Sequence, residues 1–126
     1  MSDSSHDKGM QVRREVLGDE HVDRAIERTT DLTTPFQDFI TRYAWGEVWA
    51  RDELDRRTRS AITLAMLAAL GREHEIEMHV RAARRNGLSE REIAEVFLHT
   101  SLYAGLPAAN SALAIAQRVL EKGNGT

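Results

Sequence analysis

Seven consecutive positions, Glu73 to His79 inside GREHEIEMHVRAARRNG (71–87), hold three glutamates and two histidines. Side chains of these types can ligate a metal, exchange protons with a substrate, or simply face water. Helical spacing separates the three cases. At about 100° per residue, Ile76, Val80 and Ala83 form one apolar stripe. His79 falls on that stripe, with Glu75 one turn before it. Glu73, His74 and Glu77 fall on other faces and read as a solvated or interface surface. The two histidines are five apart and diverge, whereas helices that bind zinc set theirs four apart. No metal is expected here. His79 is expected to face the interior, where a histidine serves either as a hydrogen-bonded core residue or as a proton donor. The spacing leaves both open.

Other polar residues have a chemical and an ordinary reading side by side. Arg56 and Arg59 lie three apart and share a helix face, suited to gripping carboxylates, although arginines at a helix start are commonly solvated. Glu47 lies between Trp45 and Trp49 in WGEVW, where an apolar wall would raise its pKa; an ion pair with an arginine is the plain alternative. His99 and Tyr103 are four apart and make a second pair of donors, or a histidine beside a core tyrosine. Trp45, Trp49 and Tyr103 are also candidate pocket or interface walls.

The elements that carry these residues read as helical throughout. Two prolines and eight glycines punctuate 126 residues, and no period-2 stretch appears. Residues 1–9 are expected to be a flexible N-terminus, and 10–126 a single helical domain of about six helices. Gly18 separates helices at 10–17 and 20–29. Thr34 and Pro35 suit the N-cap and first position of a third helix, which Gly46 should kink or end. Asp55 is placed to cap a helix over 56–70, apolar nearly all round after Ser60 and therefore expected at the buried centre. Gly87 ends a helix over 72–86. Ser89 and Glu92 form a capping box that opens a helix over 89–104. Gly105 and Pro107 precede the last helix, 107–121.

Composition removes several function classes. There is no cysteine, hence no disulfide, thiolate metal site or thiol mechanism. The formal net charge is −3, which argues against nucleic acid and anionic membrane surfaces. No apolar run approaches a membrane span, and no charged-then-apolar leader opens the chain, so a cytoplasmic protein is expected. LSEREIAEVF could open a helix-turn-helix, but the apolar LPAANSALAIA that follows is no recognition helix.

Three stretches, YAWGEVWAR, LDRRTRSAITLAMLAALGR and EMHVRAARRNGLSEREIAEVFLHTSLYAGLPAANSALAIA, resemble the carboxymuconolactone decarboxylases in order from about residue 10 to 121. The most specific parts are HVRAARRNG (79–87) and YAGLPAAN (103–110). The related alkylhydroperoxidase D proteins carry a Cys-x-x-Cys pair before the histidine that matches His79. Here those positions are Arg72 and Glu75, so peroxidase chemistry is excluded.

The resemblance implies an all-helical fold and a homo-oligomer, hexamer or trimer. It implies decarboxylation of a small dicarboxylate lactone, 4-carboxymuconolactone, to 3-oxoadipate enol-lactone in protocatechuate catabolism, with no cofactor and no metal. On that reading His79, Glu47 and His99 are catalytic, and Arg56, Arg59, Trp45, His74 and Tyr103 bind substrate. The alternative is a non-redox family member that binds or isomerises another small acidic lactone without decarboxylating it.

Overall fold

A computed structural model describes residues 4–124, with side chains to 123, and every regular element among them is helical. Seven α-helices run α1 (Ser4–Leu17), α2 (Asp19–Arg28), α3 (Thr34–Phe39), α4 (Arg56–Leu70), α5 (Glu73–Arg85), α6 (Glu90–Ala104) and α7 (Leu106–Asn124). A π-helical stretch, Ile40–Val48, continues α3 without a break. The count is thus seven α-helices plus this stretch, rather than about six. The chain divides into two compact units, Met1–Arg56 and Arg57–Thr126.

In the first unit α1 covers Ser4–Leu17, so residues 4–9 of the expected flexible N-terminus belong to a helix, and 1–3 lie outside the described residues. The reason is packing. Gly9 is buried, and a Cβ at that position would stand 1.8 Å from the Thr41 carbonyl oxygen. Only a bare backbone lets α1 come that close. Gly46, expected to kink or end the third helix, does not end it. It lies inside the π stretch, where a Cβ would sit 2.8 Å from the Ser5 carbonyl oxygen and 3.4 Å from Gly9 Cα. The bond from Trp49 N to Ala44 O, 2.9 Å, closes the wide turn. Val12, Val16 and Trp45 form this unit's core, with Trp49 packed against it. The caps also differ by one position: Thr33 is the N-cap of α3 and Pro35 lies in its first turn.

In the second unit, Leu64, Ile76, Val80, Ile93, Phe97 and Ile115 lie in one buried cluster. Full burial of each side chain of this size contributes about 1.5–3 kcal/mol. Ser89 Oγ accepts from Glu92 N at 3.0 Å, and Glu92 Oε1 accepts from Ser89 N at 2.9 Å, the capping box expected at the start of α6. Gly87 and Gly105 take φ values of 102° and 101° where α5 and α6 end. α4 departs from its sequence reading. It buries a single stripe, Ser60, Leu64 and Ala68, and leaves Ile62, Met66 and Leu70 exposed. Its uniform apolarity therefore marks two faces, one in this unit's core and one open. No helix among the described residues is long and apolar enough to cross a membrane.

Candidate functional site

The candidate residues divide between the two units: Trp45, Glu47 and Arg56 in the first, Arg59, His74, His79, His99 and Tyr103 in the second. Within the second unit, α4 and α6 wall an open groove of about 730 Å³. Ala61, Ile62 and Ala65 supply one wall, and Glu95, His99 and Leu102 stand on the other. α6 turns Ile93, Phe97 and Thr100 into the core, so residues one turn apart on another of its faces look into the groove. The start of each wall is fixed by one carboxylate. Glu92 caps α6 through one oxygen and pairs with Arg57 of α4 through the other.

His99 is exposed within this groove, and its ring lies 5.4 Å from that of Tyr103. The structure thus brings together the His99–Tyr103 pair expected from spacing. It adds Glu95, one turn before His99, which the sequence reading missed. The signal was available as an (i, i+4) acid–histidine pair on one face. A carboxylate and an imidazole on an otherwise apolar groove are equipped for proton transfer without a metal. Among the described residues no three His, Asp or Glu side chains gather as metal ligands.

His79 sits on α5 half-buried, flanked by the fully buried Ile76, Val80 and Ala83. Its interior-facing stripe is present, but the ring retains exposure. His74, Glu73 and Glu75 are exposed at the start of the same helix. Glu77 accepts a hydrogen bond from Arg81 at 2.9 Å, which holds its carboxyl below the usual range. That segment therefore combines a solvated face with one histidine turned partly inward. Arg59 is half-buried on α4, next to Ser60, whose Oγ accepts from Asn86 Nδ2 at 3.1 Å.

In the first unit, Trp45 is 7% exposed and lies in this unit's core with Val12 and Val16. Its ring lies 5.2 Å from that of Trp49. Glu47 is exposed and is not walled by the tryptophans. Residues 45 and 49, four apart, share a helical face that 47, midway between them, points away from. Glu47 instead borders a polar recess of about 360 Å³ with Ser4, Ser5, Lys8 and Gly46. Arg56 already holds a carboxylate. Its guanidinium donates to Glu15 at 2.8 Å, and that bond, with a second from Gln11, keeps the Glu15 carboxyl below its ordinary value.

One buried cation was not among the candidates drawn from the sequence. Arg13 is 5% exposed in a helix face that also carries Gly9, Val12 and Val16. Among the described residues its hydrogen-bond partners are neutral: Thr41 Oγ1 at 3.3 Å and Gln37 Oε1 at 3.1 Å.

The sequence model of the carboxymuconolactone decarboxylase family matches residues 34–118. The chain is 53% identical over 114 residues to a 4-carboxymuconolactone decarboxylase of Acinetobacter baylyi, covering 90% of this chain and 85% of that one. It is 40% identical over 114 residues to a nitrosuccinic acid decarboxylase of Metarhizium robertsii, covering 90% and 80%. A 42-residue match to a 4-carboxymuconolactone decarboxylase of Pseudomonas putida is 57% identical and covers 33% of this chain and 88% of that one.

Proposed function

Because the chain belongs to the carboxymuconolactone decarboxylase family, we propose that it is a lyase that converts 4-carboxymuconolactone to 3-oxoadipate enol-lactone in protocatechuate catabolism, without cofactor or metal. The observation that carries this reading is the 53% identity to the Acinetobacter enzyme across nine-tenths of the chain.

The chemistry asks little of the protein. In 4-carboxymuconolactone one ring carbon bears both the departing carboxylate and an acetate arm. When the bond to CO2 breaks, its electron pair passes through the adjacent C=C to the lactone carbonyl and forms a furan-like oxyanion. Protonation of the carbon next to that carbonyl completes the enol-lactone. The substrate is its own electron sink. The protein must bind a dianion, stabilise the oxyanion and deliver one proton. Nitrosuccinic acid has the same plan: a carboxylate on a carbon that also bears an acetate arm and an electron-withdrawing group, here nitro. The 40% identity to a nitrosuccinic acid decarboxylase supports a site built for that shared plan, with the electron sink as the variable part.

Roles follow by chemical type. His79, half-buried on its apolar stripe, is the proton donor. His99, on the groove wall with Glu95, is the second acid–base group. Glu47 crowds the leaving carboxylate. Arg59 and Arg56 hold carboxylates, Arg56 by exchanging Glu15 for substrate. His74 and Tyr103 are outlying donors. The enzyme is a homo-oligomer, hexamer or trimer. Support comes from the apolar side chains Leu102, Tyr103 and Leu106, which are 74–83% exposed at the turn between α6 and α7, more than a solitary domain leaves open. A dianionic substrate does not cross bilayers, which suits a cytoplasmic enzyme.

The test is ultraviolet-monitored turnover of 4-carboxymuconolactone and of nitrosuccinate by chelator-treated protein. Turnover of the lactone is the expected result. Binding or isomerisation of the lactone without CO2 release would establish the alternative instead. A metal that must be restored for activity would overturn the cofactor-free mechanism.

A further inference from the structure

The first unit contains an expensive feature that the proposed chemistry does not use. Arg13 is 5% exposed, and among the described residues it meets no carboxylate. Its Nε has no hydrogen-bond partner among them either. Burial, and to a lesser degree the neighbouring Arg14, lowers its pKa. A buried cation with neutral partners is destabilising relative to an apolar side chain of the same volume. Methionine or leucine would fill this space at less cost. What arginine adds is a planar fork of donors.

The fork spans one turn of the opposite helix. One terminal nitrogen donates to Gln37 Oε1 at 3.1 Å, the other to Thr41 Oγ1 at 3.3 Å. Thr41 Oγ1 in turn donates to the Gln37 carbonyl at 2.7 Å, closing a ring of contacts around that turn. Helix α3 ends at Phe39 and the π stretch starts at Ile40, so the fork straddles the junction where the helix changes its winding. Beyond the junction the bonds skip a residue, as from Trp49 N to Ala44 O at 2.9 Å. One inserted residue turns everything after it by about 100° relative to an uninterrupted α-helix. That rotation decides which side chains after residue 41 enter the core and which leave it. In the observed register Trp45 is buried on Val12 and Val16, and Glu47 stands beside Ser4, Ser5 and Lys8. Gly9 and Gly46 let α1 approach closely enough for the fork to reach.

We propose that Arg13 is a positioning residue: by bridging Gln37 and Thr41 it fixes the π-helical register of Ile40–Val48, and through that register it sets Glu47 for decarboxylation. The proposal rests on the role given to Glu47 above. It assigns Arg13 no contact with substrate.

Three variants test it together: Arg13→Met, which keeps length and loses the donors; Thr41→Val, which keeps shape and loses the acceptor; and Glu47→Gln. Register is read from the exciton signal of the Trp45–Trp49 pair in circular dichroism, since the rings lie 5.2 Å apart at 33°. Function is read as kcat and KM. Arg13→Met is expected to weaken the exciton signal and to lower kcat by about 10- to 10²-fold with KM little changed, the range that misplacement of a group by roughly 1 Å produces. Thr41→Val should give the same pattern in milder form, and it serves if Arg13→Met does not fold. In the Glu47→Gln background neither substitution should lower kcat further. A merely structural arginine would lower kcat equally in both backgrounds, or in neither. An unchanged exciton signal in both variants overturns the clamp. A lost signal with normal kcat overturns the positioning role. Full activity in Glu47→Gln refutes the role of Glu47 itself, while the exciton signal still judges the clamp.

Discussion

Gly9→Ala is the more severe of the two glycine-to-alanine substitutions where α1 meets the π stretch. The added Cβ would lie 1.8 Å from the Thr41 carbonyl oxygen, 2.8 Å from its carbonyl carbon and 3.1 Å from Gly46 N. All three are backbone atoms, so no side chain can swing away. Restoring ordinary contact requires α1 and the π stretch to separate by roughly 1.5 Å, an overpacking that costs about 1–3 kcal/mol. The same separation pulls Arg13 from Thr41 and Gln37, and buried donors left unmade cost about 1–3 kcal/mol more. Together the loss should be about 2–6 kcal/mol. Both tryptophans of the chain lie in or next to the π stretch, so tryptophan fluorescence during urea unfolding reports this unit directly. Gly46→Ala, whose nearest contact is 2.8 Å, should cost less than Gly9→Ala. Gly123→Ala meets nothing within 4 Å in α7 and should be neutral or slightly stabilising. If Gly9→Ala unfolds within about 1 kcal/mol of the parent protein, the close approach of α1 is not a feature of the folded state, and the reasoning from overpacking fails.

Replacing His79 with Gln should keep the fold and slow turnover by at least about 10²-fold, the lower end for a lost general acid; if His99→Gln shows that loss and His79→Gln does not, the donor is the groove histidine. Arg59→Ala should raise KM more than it lowers kcat, because ground-state binding is lost, and steady-state kinetics separates the two. Glu15→Gln should lower KM if Arg56 exchanges Glu15 for substrate, and leave KM unchanged if the pair is purely structural. Because the Arg56 bond depresses the folded-state pKa of Glu15, the pair's stabilisation is fully present above the ordinary glutamate value of 4.5 and disappears as pH falls through the depressed one. For a pair this exposed the loss is about 0.2–1 kcal/mol, so acid unfolding curves of Glu15→Gln and parent should converge at low pH and separate slightly above 4.5.

What was legible from the sequence was whatever short-range rules control. The Ser89–Glu92 capping box, the glycine stops at Gly87 and Gly105, and the stripe of Ile76, Val80 and Ala83 all follow from 3.6-residue spacing and local hydrogen bonding. Two of the misreadings were decided by partners distant in sequence, and the third by local helix geometry. Gly46 looks like a helix breaker until α1 is laid against it, where its missing side chain is what the helix pairing needs. Glu47 looks apolar-walled in WGEVW because sequence neighbours are mistaken for spatial ones, whereas a helix sends 47 to the side opposite 45 and 49. The even apolarity of 61–70 gave no direction, and the open face carrying Ile62 and Met66 emerged only once Leu64 and Ala68 had been claimed by the core.

Arg13 shows the same limit from the functional side. Arg13 and Arg14 are adjacent in GMQVRREVL, yet one is buried across from Gln37 and Thr41 and the other bonds to Asp19 and Asp23 at the surface. Periodicity alone would have placed an arginine at 13 beside Gly9, Val12 and Val16, on the apolar face, and that conflict was the available sign. A charge set on a buried face is a local inconsistency that a folded chain retains only where something else depends on it. Here what depends on it is the winding of the one helix among the described residues that departs from α geometry. The candidate acid Glu47 is carried on that helix. The family resemblance identifies the reaction class from residues 34–118, but Arg13 lies outside the matched span. Its bonds to Gln37 and Thr41, rather than the family model, assign it a task.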